Sequence, residues 1–241
     1  MSGASIAPGS NVRRTKQIHQ ARPMEIANKK AFIFRELLHR LFAGRYRFGE
    51  RIPVKELSEE LGVSKQPVMT ALTSLQERGF VRITAQVGCE VISPTPDEIE
   101  DFYRMFAAVE GVIARLAARR ATAEEIHRLG EINQQLTAAS PDTSPAETYR
   151  QINVLFHRQL HDMAHSSLVS ARQQANFELS DFFIVQTCGF NAHLHLVADE
   201  HAALIEAVSE HDPERAAEAA QAHILSVSDS VASYLRSSPG Q

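Results

Sequence analysis

Every strand-like stretch in this chain lies before Ser93, and everything beyond Pro96 reads as helix. The break falls at Ser93-Pro94-Thr95-Pro96, where two prolines keep the backbone extended and stop a helix from running through. Ahead of it, short apolar periods are cut by Gly44, Gly62 and Gly79. The 241 residues therefore divide into a small mixed front and a larger helical back. The fold class expected is mainly α. It comprises a flexible basic arm at 1–23, a winged helix-turn-helix at 24–93 and an all-α six-helix bundle at 97–236.

The front can be read element by element. Ile26, Phe32, Ile33, Leu37, Leu38 and Leu41 recur at helical spacing between Met24 and Phe42. A short helix over Val54–Leu61 stops at Gly62. Ser64 stands as an N-cap for a second helix that reaches Arg78 and stops at Gly79. Phe80–Val91, with Gly88 near its middle, is a small hairpin or wing. In the back, helices are expected over 97–120, from the Thr122-x-x-Glu125 capping box to about 139, over 146–165, 167–188 and 199–211, and from Asp212-Pro213 to about 235. Residues 140–144 read as a loop.

Charge follows the same division. The net charge is −4, yet residues 1–23 carry four basic groups and no acid. Residues 24–93 hold 11 Lys/Arg against 8 Asp/Glu, and residues 94–241 hold 10 against 21. A basic front suits a polyanion, and an acidic back suits another task. Two cysteines, Cys89 and Cys188, cannot staple a secreted domain and fit a reducing cytoplasm. No apolar run approaches the roughly 18–20 residues of a membrane span, and the start lacks the apolar core of a secretory signal. Membrane, disulfide-scaffold and collagen-like classes are excluded.

In a helix-turn-helix the start of the second helix enters the major groove. Lys65, Gln66, Met69 and Thr70 would then lie nearest the base edges, Lys65 suiting guanine or phosphate and Gln66 adenine. Arg45, Arg47 and Arg51 before the motif, Lys55 at its first helix and Arg82 on the wing suit phosphates. Val68, Leu72 and Leu75 would pack inward on Leu57 and Leu61. The expected DNA-facing set is Arg45, Arg47, Arg51, Lys55, Ser64, Lys65, Gln66, Thr70 and Arg82.

The back holds nine of the eleven histidines. Asn153 and His157 are four apart and share a helical face. His201 and His223 fall on the two last helices, so three helices of a bundle can bring the four residues together. Imidazoles suit zinc, nickel, iron and copper, with coordination positions left open. His161 and His165 drift off that face and read as ordinary histidines, as do His193, His195 and His211 at helix edges.

The segment 52–91 resembles the DNA-binding domain of the GntR family of bacterial transcription factors. The matching residues are Leu57-Ser58, Leu61-Gly62-Val63-Ser64, Lys65, Pro67-Val68, Ala71-Leu72, Leu75 and Gly79-Phe80. Met69 stands where the family carries an arginine, and methionine cannot make a bidentate guanine contact. From about Asp97 the chain resembles the FCD ligand-binding domain of the FadR-type branch. Asn153-x-x-x-His157 with Leu160, Asp199-Glu200-His201, and Ala219 to His223-Ile224 carry that likeness. The resemblance implies a divalent ion, zinc first and nickel second, on Asn153, His157, His201 and His223. Neutral Asn153 in place of aspartate lowers the charge of the set. Phe106 occupies the place of an arginine suited to an effector carboxylate.

Two functions follow from these readings. The resemblance implies a homodimeric, ligand-responsive regulator that binds double-stranded operator DNA, modulated by a small organic acid at the metal-centred pocket. The alternative is a metal-dependent hydrolase whose front domain docks a partner, since three histidines with an open position can activate water. A third role, an ion that only staples the bundle, is compatible with the first. The effector-binding residues stay unassigned.

Overall fold

A computed structural model describes residues 23–139, 146–190 and 194–237, with side chains from residue 30 and, in the last segment, from residue 197. The arm at 1–22 and the expected loop at 140–144 lie outside the described residues, as does His193. The front contains helices α1 (Pro23–Phe42), α2 (Val54–Glu60) and α3 (Lys65–Glu77) and strands β1 (Arg51–Ile52), β2 (Val81–Thr84) and β3 (Gly88–Val91). Buried Ile33, Leu37 and Leu41 line one stripe of α1 and meet Leu57, Val68, Leu72 and Leu75 from α2 and α3. Gly62 makes the tight turn between α2 and α3 at φ 62°, a left-handed conformation that favours glycine. Ser64 occupies the N-cap of α3 with extended dihedrals, but its side chain makes no cap hydrogen bond.

Gly79, at φ 83°, closes α3. The Phe80 amide donates to Leu75 O at 3.0 Å and the Gly79 amide to Gln76 O at 3.0 Å, the paired bonds of a Schellman end. That turn throws the buried Phe80 ring into the core and launches the wing. The wing is wider than the expected hairpin. β1 pairs antiparallel with β3, and the sheet order is β1-β3-β2, with Ile52 and Ile83 both opposite Cys89.

Six helices form the back: α4 (Pro96–Arg120), α5 (Ala123–Ala138), α6 (Ala146–Met163), α7 (Ser167–Gln186), α8 (Leu194–Ser209) and α9 (Pro213–Ser237). Thr95 and Glu98 form a capping box that starts α4, with Pro96 at its first position. Thr122 and Glu125 repeat the device on α5. Asp212 caps α9, its carboxylate accepting from the amides of Glu214 and Arg215 at 3.2 and 3.1 Å. Helix α6 ends two residues before the expected His165, which adopts φ 45° in the turn to α7. Helix α8 begins at Leu194, five residues ahead of the expected Asp199.

Two apolar groups hold the molecule. One runs from the front domain into the bundle, where Phe42 and Phe48 meet Phe80, Phe182 and Phe183 edge-on at centroid distances of 5.7–6.3 Å and Phe80 meets Phe182 at 5.3 Å. The other joins Ile113 and Ala117 of α4 to Phe156 and Leu160 of α6 and Leu204 and Val208 of α8. Of the expected metal ligands, His157 touches Phe177 of the first group and His201 stacks on Phe156 of the second. No helix among the described residues is long and apolar enough to cross a membrane.

Candidate metal centre and nucleic-acid interface

Asn153 and His157 project from one face of α6, His201 from α8 and His223 from α9. The structure brings the three histidines together. One ring nitrogen from each lies within 4.8 Å of the others. Ring centroids are 5.2 Å apart for His157 and His201, 5.3 Å for His157 and His223, and 4.7 Å for His201 and His223. All three are buried, and His201 is fully so. Asn153 shares a pocket wall with His157 and His223.

Several polar atoms around this point lack partners among the described residues. Asn153 Oδ1, His157 Nε2 and both nitrogens of His201 are buried without a hydrogen bond. Each such group costs about 1–3 kcal/mol relative to a satisfied one. A divalent ion accepting these lone pairs would remove that cost, and the donor set of imidazoles and one amide oxygen suits zinc or nickel. Burial keeps His157 and His201 neutral and ready to donate. It pushes His157 down to about 4, helped by nearby His223 and His161, and holds His201 well below the ordinary histidine value, with His223 and His157 adding to the effect.

Carboxylates hold the far sides of two rings. His157 Nδ1 faces Glu110 Oε1 at 3.0 Å, so Nδ1 carries the proton and Nε2 is left to coordinate. His223 Nδ1 faces Glu200 Oε2 at 2.7 Å. Buried Glu110 also accepts from Gln173 Nε2 at 2.7 Å and meets His161 Nε2 at 3.1 Å. Burial alone would raise Glu110, but the charge of His161 and the hydrogen bonds from both histidines hold it well below the usual carboxylate range. His201 has no such partner; its ring stacks on Phe156 at 3.6 Å and 3°.

Sequence reasoning missed these supports. It set His161 aside as an ordinary histidine; the structure buries it and ties it to the carboxylate that orients His157. The available signal was Glu110 itself, an acid on the apolar face of α4 among Phe106, Ala107, Ile113 and Ala114. The ordinary reading suits His165, which pairs with Glu125 in a turn, and His211, which meets Ala118 O at 2.8 Å. The side chain of His195 lies outside the described residues. Arg104 pairs with Glu100 and Asp101, and Arg115 pairs with Glu214, so both are already engaged by acids. Arg158 lines a different cleft, and Phe106 fills the pocket wall beside His157.

At the front, Ser64, Lys65 and Gln66 are exposed at the start of α3. Thr70 is half-buried, its hydroxyl donating to Gln66 O at 3.0 Å. Met69 is half-buried, and its side chain packs against the core. Arg45, Arg47, Arg51, Lys55 and Arg82 are all exposed. Arg45 lies 3.8 Å from Glu60, Lys55 4.0 Å from Glu59 and Arg82 3.9 Å from Glu90. Exposed pairs this long contribute little, so phosphates can replace them.

Comparison with known proteins gives the same two parts. Residues 29–91 match bacterial regulatory proteins, gntR family, and residues 101–226 match the FCD domain. The HTH-type transcriptional repressor NanR of Escherichia coli K12 is 28% identical over 254 residues, covering 93% of this chain and 90% of that protein. The HTH-type transcriptional regulator YdhC of Bacillus subtilis is 24% identical, covering 80% of this chain and 84% of that one. Among solved structures, E. coli McbR/YncC superposes with a TM-score of 0.66 at 19% identity, covering 82% of this chain and 94% of that one. A putative GntR regulator from Rhodococcus sp. RHA1 gives 0.67 at 14%, covering 85% and 97%. A gntR-type helix-turn-helix followed by an FCD domain makes this chain a member of the GntR family of transcriptional regulators.

Proposed function

We propose that this regulator is a homodimeric repressor of the bacterial cytoplasm. Its FCD domain holds one divalent ion, zinc ahead of nickel, on Asn153, His157, His201 and His223. A small organic acid then completes the ion's coordination. The observation that carries this reading is the convergence of three imidazoles and an amide oxygen from three helices, with four of their polar atoms buried and unpartnered. When bound, the ion supplies a fixed positive centre for a carboxylate. Glu110 and Glu200 orient His157 and His223, while Phe156 and Phe177 shield the site.

DNA contact is assigned to Lys65, Gln66, Thr70 and Ser64 at the reading helix, and to Arg45, Arg47, Arg51, Lys55 and Arg82 on phosphates. An apolar stripe on α4 supports a dimer. Met105 and Val112 are 50% and 42% exposed, and half-buried Val109 and Leu116 continue the same face.

Helix α7 supplies a route from pocket to DNA. Its Phe177 touches His157 at a centroid distance of 4.3 Å. Further along, Phe182 packs into the front domain, and Gln186 Nε2 donates to the carbonyls of Leu41 and Tyr46 at 3.3 and 3.1 Å. A ligand that favours one position of α7 changes how the two front domains of a dimer are presented. The hydrolase alternative has no support: the family acts as regulators, and Glu110 and Glu200 are engaged with histidine Nδ1 atoms rather than held as bases. Footprinting on DNA upstream of the protein's own gene, with and without zinc and candidate organic acids, tests the reading. Protection of a near-palindrome that changes with acid only in the zinc-loaded protein supports it. No preference for any fragment would refute it.

A further inference from the structure

A second cavity, of about 660 Å³, opens between the domains, walled by α1 on one side and by α6 and α7 on the other. Its lining holds three arginines and three acids, but the pairing among them is uneven. Of its three acids, Asp181 pairs with Arg150 at 3.2 Å, Glu147 pairs with Arg150 at 2.8 Å, and Glu178 pairs with Arg78 at 2.7 Å. Arg35 from α1 and Arg158 from α6 also line it. Neither makes a hydrogen bond or ion pair among the described residues, so two guanidinium charges, one from each domain, look into the same space. Beneath the charges the floor is apolar and partly aromatic, formed by Leu38, Phe42, Val154 and Phe177.

We propose that this interdomain cleft is a second ligand site, distinct from the metal-centred pocket, and that it takes an amphiphilic monoanion with an aromatic body. The anionic head would sit between Arg35 and Arg158, where two planar guanidinium groups can each give charge-assisted hydrogen bonds. The ring would lie against Phe177, Leu38 and Val154, because the Arg150 guanidinium already stands over the Phe42 ring at 5.2 Å. The ligand would touch both domains at once and so link their relative position to the concentration of an aromatic acid. The proposal stands on the cleft alone and does not need the metal.

The probe is 1-naphthoate, with 1-naphthalenemethanol as its uncharged counterpart, titrated by calorimetry into the full-length protein. Both arginines are exposed and unpaired, so Arg35→Ala/Arg158→Ala should keep the native melting temperature. Arg158→Gln alone serves as a second, milder variant. The expected result is saturable naphthoate binding, weakened about tenfold or more in the double variant, which is the loss expected of removed charge-assisted bonds. The alcohol should bind more weakly than the acid, and His201→Ala should bind naphthoate as the native protein does.

Phe177 and Asp181 also wall the pocket beside His157, so the His201 variant separates the two sites. Naphthoate binding that survives both arginine changes would overturn the proposal. So would equal binding of the alcohol, loss of binding in His201→Ala, or no binding at millimolar ligand. If the double variant lost only DNA affinity, the arginines would be phosphate contacts and the site would not exist.

Discussion

Replacing His201 with leucine should make the metal-free protein more stable and the zinc-loaded protein less so. His201 is fully buried, and neither of its nitrogens has a partner. A neutral imidazole carries one donor and one acceptor, and each left unmet costs about 1–3 kcal/mol. Leucine has a similar volume and no polar atom, so it removes both costs. It forfeits the stack on Phe156, worth about 0.5–1.5 kcal/mol. The net gain is about 2 kcal/mol, or a rise of about 4–8 °C in melting temperature for a chain of this size. Zinc at about a hundredfold excess over its dissociation constant adds about 2.7 kcal/mol to the native protein. His201→Leu should gain little. Calorimetric melting after chelator dialysis, then with zinc restored, reads both effects. The order of the two proteins should invert on adding zinc. A variant less stable without metal, whose melting temperature then rises with zinc as much as the native one, would refute the reasoning.

Three further outcomes follow. Glu110→Gln keeps the shape but loses the carboxylate that orients His157, so zinc affinity should fall about 10–100-fold by competition with a chromophoric chelator, while metal-free folding is retained. Asp181 is pushed up to about 7 by burial, with Arg150 opposing. Its folded pKa lies above the unfolded value of about 3.9, so its share of stability is present at low pH and is lost as pH rises from about 4 through about 7. Asp181→Asn removes that slope, and its unfolding free energy should gain on the native one between about pH 4 and pH 7, by at most about 4 kcal/mol. Gly111→Ala would put a methyl 2.9 Å from Gln221 Cγ where α4 meets α9. That overpacking should cost about 1–3 kcal/mol in denaturant unfolding.

Elements with local stop and start signals were legible in the sequence. Gly62, Gly79, Thr122 with Glu125 and Asp212-Pro213 mark helix ends through bonds made within a few residues. Thr95 with Glu98 follows the same rule, but the prolines around it drew attention to the break rather than to the helix it starts. Strand β1 is two residues long, too short to show a period, and exists because β3 lies beside it. The four proposed ligands were legible because their helical spacing and family pattern are local. Their supports were not. Glu110 reaches His157 and His161 across 47 and 51 residues, and Glu200 reaches His223 across 23. On α6 His161 lies only about 40° from His157, as close as Asn153 on the other side; what α6 alone does not show is the one carboxylate on α4 that spans both rings. Met69 shows the opposite limit, for its place in the motif suggests a base-reading position while its apolar chain packs on the core.

The central claim is an ion held by α6, α8 and α9 in the FCD domain. Elemental mass spectrometry on protein purified without added metal and without an affinity tag that binds metal tests it most directly. About one zinc or nickel per chain in the native protein, and almost none when His157, His201 and His223 are all replaced by alanine, is the result expected. Native protein free of divalent metal that also fails to take up zinc on dialysis would contradict it.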